Sequence, residues 1–207
     1  MAKIKILYHK SKMEINVDDK NLIGILQSKA EEYKTDLTQE QIVENALDNP
    51  IGSPKLEELV KNKKNMVIIT SDHTRPVPSK IIMPIMLKRI RKVNPNIDIT
   101  ILIATGFHRA STHEELVNKL GEEIVKNEKI IIHDSRDEQM LVKVGTLPSG
   151  GELILNKYAM NAELLIAEGF IESHFFAGFS GGRKSILPGV ASAQTEIGRA
   201  SCRERVS

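Results

Sequence analysis

The sequence predicts an α/β protein built on a mainly parallel sheet flanked by helices, with a short β-hairpin ahead of it. Three observations carry this expectation. Short, nearly continuous apolar runs stand at 65–70 (NMVIIT), 99–104 (ITILIA), 129–132 (KIII) and 162–167 (AELLIA), the composition of strands buried on both faces of a parallel sheet. Segments of helical periodicity lie between the first of these runs, the alternation that parallel βαβ units require. Each run ends in a polar cluster, as strand ends at a ligand-binding edge do.

The remaining elements follow in order. Residues 4–8 (IKILY) are rich in β-branched side chains, and 13–17 (MEINV) alternate, so the two form a hairpin. Residues 38–47 (TQEQIVENAL) read as a helix opened by Thr38, with Gln41 three residues on in capping-box spacing, and Pro50 stops it. A short helix follows Ser53-Pro54, with Leu56, Leu59 and Val60 on one face. A longer one over 79–93 is expected to bury Ile82, Ile85, Met86, Ile90 and Val93, and another begins near Thr112. Neither an internal repeat nor a low-complexity linker interrupts the pattern.

Composition narrows the function classes. The 207 residues suffice for one sizeable core. With 41% hydrophobic and 27% charged residues, the balance is that of a soluble globular protein. A net charge of +2 and 4% aromatics give no case for nucleic acid or an anionic membrane. There is no apolar run of roughly 18 residues and no signal peptide, so a cytoplasmic location is expected. The last segment, 196–207 (EIGRASCRERVS), is polar, Arg-rich and aperiodic. It reads as a non-native, adapter-derived tail on a domain spanning 1–195. The single cysteine, Cys202, lies inside it, which removes disulfides and thiolate chemistry from consideration.

The polar clusters SDHTRP (71–76), TGFHR (105–109), HDS (133–135) and GFIESH (169–174) each follow a strand. In an open α/β sheet all four lie along one edge. Of the histidines, His9 and His113 sit in polar surface segments and His133 reads as packed. His108 and His174 follow strands directly, and suit a general acid and base acting from two sides of a substrate. Arg75 precedes Pro76, which extends its backbone; its guanidinium would fork onto a carboxylate or phosphate, or pair on the surface with Asp72. The stretch GFSGGRKS (178–185) approaches a phosphate-binding loop, but Arg183 stands where that loop needs glycine before its lysine. A mononucleotide-sized anion suits it better than a nucleoside triphosphate.

The segments SDHTRPVPSK (71–80), TGFHR (105–109) and GFIESHFFAGFSGGRKSILPGVAS (169–192) resemble those of the nickel-dependent lactate racemases. The resemblance implies a Rossmann-like N-terminal domain, a second domain beyond it, and a site between them. It implies a nickel-pincer nucleotide (a nickel pyridinium-3,5-bisthiocarboxylate mononucleotide) attached covalently at Lys184, with His108 and His174 as the acid/base pair. Asp72, His73, Thr74 and Arg75 would contact the cofactor, with Arg75 also holding the substrate carboxylate. A nickel-ligating histidine and the second domain's substrate contacts would lie past this chain's end, so the 207 residues alone are expected to be inactive. The implied partners are lactate and the proteins that make the cofactor. Removing the α-proton of lactate beside a carboxylate is hard. Withdrawing a hydride leaves pyruvate, a stable ketone, and that route needs a cofactor because no side chain accepts hydride. Two alternatives remain: a racemase or epimerase of another 2-hydroxy acid, and a non-catalytic nucleotide- or phosphate-binding module.

Overall fold

The computed structural model describes residues 1–26, 29–174 and 178–203, with backbone alone at 30, 31, 174 and 199–203. The chain divides into two compact units, Met1–Leu37 and Thr38–Ser207. In the first, β1 (Ala2–Tyr8) and β2 (Ser11–Val17) form the expected hairpin, each longer than the sequence suggested. Their antiparallel register pairs Ile4 with Ile15 and Ile6 with Met13, which puts these apolar side chains on one face. The exposed His9 sits in the connecting turn at φ 52°.

The second unit opens with α1 (Gln39–Asp48), whose N-terminus carries the expected capping box. Thr38 Oγ1 accepts from the Gln41 amide at 3.3 Å, and Gln41 Oε1 accepts from the Thr38 amide at 2.9 Å; such a cap contributes about 1 kcal/mol. After the one-turn α2 (Leu56–Val60) come β3 (Asn65–Ser71), α3 (Ser79–Val93), β4 (Asp98–Ala104), α4 (His113–Leu120), α5 (Glu122–Asn127) and β5 (Lys129–Ile132). A second capping box, Thr112 with Glu115, starts α4. The chain then makes a hairpin of β6 (Leu141–Thr146) and β7 (Glu152–Asn156) and a single turn, α6 (Lys157–Met160). It rejoins the sheet at β8 (Leu165–Glu168). A two-residue ladder of β9 (Ser173–His174) with β10 (Gly178–Phe179), a 3-10 turn at Gly182–Ser185 and α7 (Ala193–Arg203) complete the described chain.

Among the described residues the central sheet has four strands in the order β5-β4-β3-β8, all parallel. Alternate side chains enter two cores. Met66 and Ile68 of β3, with Ile99, Ile101 and Ile103 of β4, meet Met83, Met86, Leu87 and Ile90 of α3 and Leu116 and Leu120 of α4. Val67, Ile69 and Leu102 face the other way, against Ala159 and Val190. Each fully buried Ile or Leu contributes roughly 1.5–3 kcal/mol, and this two-sided burial is why the strands read as unbroken apolar runs. The chain leaves β3 to one side for β4 and β5, then returns to its other side for β8. The gap between β3 and β8 is thus a topological switch point, where α/β sheets bind ligands.

The structure departs from the sequence expectations in four places. The α3 face is rotated: Met83 and Leu87 are buried, whereas Val93 is 37% exposed and Ile82 and Ile85 are only partly covered. The helix packs against α2 and α4 as well as the sheet, so its apolar stripe is wider than one ridge. The fourth strand is Leu165–Glu168, later than 162–167, because its pairing with β3 begins at Leu165. The β6–β7 hairpin was not expected. Finally, α7 runs across residue 196, so the first part of the expected tail is helical; residues 204–207 lie outside the described residues. Among the described residues no helix is long and apolar enough to cross a membrane.

Candidate active site

A cavity of about 390 Å³ opens at the C-terminal ends of β3, β4 and β8, within the size range of small-molecule sites. Its walls come from the turns after these strands and from the 3-10 turn at Gly182–Ser185. Asp72, Thr74 and Arg75 line it from β3, Gly106 and His108 from β4, Glu168 and Gly169 from β8, and Ser180, Gly181, Lys184 and Gly189 from the glycine-rich stretch. Segments spread over more than a hundred positions thereby share one pocket.

Its best-defined pair is Asp72 and His108. Asp72 is 2% exposed and sits in an Asx-type turn: its Oδ1 accepts from the Thr74 amide at 3.1 Å and from Thr74 Oγ1 at 2.6 Å. Its Oδ2 lies 2.6 Å from His108 Nδ1. Burial pushes the Asp72 carboxyl up, but the hydrogen bonds from Thr74 and His108 outweigh it and hold the group below its ordinary value. An ionised carboxylate only accepts hydrogen bonds, so His108 Nδ1 carries a proton, and in the neutral imidazole the lone pair is on Nε2. The imidazole is thus fixed in the tautomer that a general base needs.

Arg75 is exposed, and its Nη1 donates to Thr74 Oγ1 at 3.3 Å. The surface pair between Arg75 and Asp72 considered from sequence is not formed among the described residues: Asp72 engages Thr74 and His108 instead. A chain of hydrogen bonds therefore runs from Arg75 through Thr74 to Asp72 and His108. His73 turns away from this cavity, with Nδ1 3.2 Å from Ser111 Oγ and 3.6 Å from Glu115 Oε2. For His174 the backbone lies in β9, paired with Gly178, and its side chain lies outside the described residues.

Lys184 is held by a turn whose geometry demands glycine. Gly181 has φ +73°, and a Cβ there would lie 2.4 Å from the Phe170 carbonyl oxygen. At Gly189 a Cβ would lie 2.4 Å from the Ser185 carbonyl oxygen. The Lys184 amide donates to Gly181 O at 3.1 Å and its carbonyl accepts from the Gly189 amide at 2.9 Å. The four-residue 3-10 turn is not the long helix that follows a phosphate-binding loop, which agrees with the mismatch at Arg183. Beyond it, residues 189–192 are tied down by Gly106 N to Gly189 O at 3.0 Å, Asn156 N to Val190 O at 2.9 Å and Ser192 N to Ile154 O at 2.9 Å.

His133 is the packed residue the sequence suggested, at 2% exposure. Its Nε2 donates to Ala191 O at 3.0 Å, and its Nδ1 accepts from Asn156 Nδ2 at 3.1 Å. Sequence reasoning missed Glu168 and Lys119. Both are buried charged groups: Glu168 lines the cavity and could have been marked by its place between a strand and Gly169, while Lys119 contacts the turn after β3. Among the described residues no three His, Cys, Asp or Glu side chains converge as a metal would require.

Comparison with known proteins gives this site a lineage. The family model for the lactate racemase N-terminal domain matches residues 8–198. The chain belongs to the lactate racemase N-terminal domain family. Within it, the lactate racemase of Lactiplantibacillus plantarum is 60% identical over 195 residues, 94% of this chain and 46% of that protein. The lactate racemase of Thermoanaerobacterium thermosaccharolyticum is 57% identical over 194 residues, again 94% and 46%. The chain therefore spans about half the length of the curated relatives it matches. The solved structure of the T. thermosaccharolyticum lactate racemase apoprotein superposes with a TM-score of 0.87 at 55% identity, covering 95% of this chain and 45% of that one. A Thermotoga maritima protein of known structure, at 24% identity and a TM-score of 0.65 over 82% of this chain, shares the fold.

Proposed function

We propose that this chain is the cofactor-holding part of a lactate racemase, an isomerase that interconverts D- and L-lactate through pyruvate. The observation that carries this reading is the convergence of Arg75, the Asp72–His108 pair and Lys184 on one cavity in a member of this family. We read residues 1–195 as the family portion and 196–207 as an appended tail; the family match over residues 8–198 supports the first part and runs three residues beyond this boundary.

The nickel-pincer nucleotide fits what the residues offer. Lys184 brings an amine to the cavity, and Gly181 and Gly189 keep the backbone around it free of Cβ atoms. Ser180 and Ser185 add donors for a phosphate. Lys184 would hold the group covalently, while Asp72, Thr74 and Arg75 would border it. When bound, the cofactor supplies the hydride acceptor that side chains lack.

The chain's own residues do the rest. Arg75 holds the substrate carboxylate through its planar fork and keeps the planar ketone from leaving while it turns over. His108 Nε2, the nitrogen left free by the bond to Asp72, removes or returns the hydroxyl proton at one face. His174 does the same at the other, so that either enantiomer meets a base. The protein partners of this reading are those that build and load the cofactor.

The test is the fate of the α-hydrogen. The full-length parent, made in a host that produces the cofactor, is given α-deuterated lactate in ordinary water. Hydride transfer returns the deuterium to carbon in both enantiomers. Loss of deuterium to solvent at the rate of racemisation would show proton abstraction and sink the proposal.

A further inference from the structure

Lys119 lies on α4, yet it is only 9% exposed. A lysine ammonium loses much of its hydration when buried, so it is rarely found there without partners. An apolar residue would cover the sheet at lower cost. The Lys119 Nζ lies 3.4 Å from Ser71 Oγ and 3.4 Å from the Arg75 carbonyl oxygen. These two contacts bracket the turn that carries Asp72, Thr74 and Arg75.

The same buried region holds a second unusual group. Glu168, at the end of β8, is 5% exposed. Its Oε2 accepts from Thr70 Oγ1 and, at 3.1 Å, from Ser79 Oγ, while its Oε1 is buried without a partner among the described residues. A half-satisfied carboxylate is costly unless a cation compensates it. Burial lowers the basicity of Lys119, and the charges of Glu168 and then Asp72 act against that. The ammonium's hydrogen-bond partners are thus the two ends of the turn after β3, while Glu168 ties the end of β8 to Thr70 and Ser79 on the other side of that turn.

We propose that Lys119 is a positioning residue for the reaction: its buried ammonium, bonded to Ser71 Oγ and the Arg75 carbonyl, holds the 71–75 turn in the shape that aims Arg75 at the substrate carboxylate and, through Asp72, sets His108. The proposal rests on the roles given above to Arg75 and His108. It explains why a lysine stands at a helix–sheet contact that packing alone would fill with leucine or methionine.

The experiment compares Lys119→Met and Lys119→Arg with wild type in the full-length, cofactor-loaded parent, normalised to folded, loaded protein. Lys119→Met is expected to raise KM for lactate roughly tenfold or more, the scale of a small misplacement of a substrate clamp. Lys119→Arg, which restores donors and charge, is expected to bring KM back to within about threefold. An unchanged KM and kcat in folded Lys119→Met would overturn the proposal, as would a folded Lys119→Arg that restores nothing. Should Lys119→Met not fold, Lys119→Gln, which keeps a donor without the charge, is held to the same KM criterion. A second readout is independent of turnover: the His108 Nδ1–H resonance in protein labelled with 15N-histidine. It is expected to be slowly exchanging in wild type and broadened in the variant, and identical signals would overturn the proposal. A wild-type parent that racemises neither enantiomer would sink the lactate reading, and the resonance would still decide the role of Lys119.

Discussion

Replacing Asp72 by asparagine probes the best-defined geometry of the site. The amide oxygen of the introduced side chain can keep the contacts that Asp72 Oδ1 makes with the Thr74 amide at 3.1 Å and Thr74 Oγ1 at 2.6 Å. The turn should therefore survive. The amide nitrogen then faces His108 Nδ1 across 2.6 Å, donor against donor. His108 relieves the clash by moving its proton to Nε2, which consumes the lone pair needed for catalysis. General-base action is worth on the order of 10² to 10⁴ in rate, so a loss near 10³-fold in kcat, about 4 kcal/mol, is expected. Racemisation has an equilibrium constant of one, so kcat/KM must fall equally for D- and L-lactate. The assay is enantiomer-specific detection of product in both directions, with a thermal melt to confirm folding. A folded Asp72→Asn parent within about threefold of wild-type kcat/KM would refute the tautomer argument.

Two further outcomes follow from the scaffold. Gly181→Ala forces a Cβ into the left-handed region 2.4 Å from a carbonyl oxygen; a loss of about 2 kcal/mol or more should lower the melting temperature by roughly 4–8 °C, and an unchanged melt would contradict the turn geometry. His133 is held below its ordinary value by burial, which the hydrogen bond to Ala191 only partly offsets. A histidine kept neutral in the fold contributes stability that is complete above its unfolded value near 6.5 and is lost as pH falls from there toward the folded value. Urea unfolding at a series of pH values should show that acid slope in wild type and a flatter one in His133→Gln; parallel slopes would argue against a buried neutral imidazole.

Much of the fold could be read from sequence because the signals were local. Thr38 with Gln41 announced one helix start, and its capping box is present; the helix expected near Thr112 starts there too, on a capping box with Glu115 that the sequence reading did not use. The sheet strands were visible because burial on two faces leaves no polar alternation to confuse the reading. The β6–β7 hairpin was hidden for the opposite reason: β6 is largely exposed, and a register irregularity between Lys143 and Gly145 breaks its period of two. The edge on which the polar clusters gather was legible once the sheet was taken as parallel, and Asp72, Thr74, Arg75, His108 and Lys184 do line one cavity. Their partners were not legible. Asp72 and His108 are 36 positions apart, and no local pattern says that the carboxylate pairs with that histidine rather than with Arg75. Lys119 was invisible because a lysine on a helix reads as solvated until its burial is known.

Peptide mass mapping of the full-length parent, purified from a host that makes the cofactor, tests the central claim most directly. The account predicts that the peptide containing Lys184 carries a covalent mass increment of a mononucleotide derivative, that nickel co-purifies with it, and that Lys184→Ala abolishes the increment together with racemisation. An active, lactate-racemising parent whose Lys184 peptide is unmodified and which contains no nickel would contradict it.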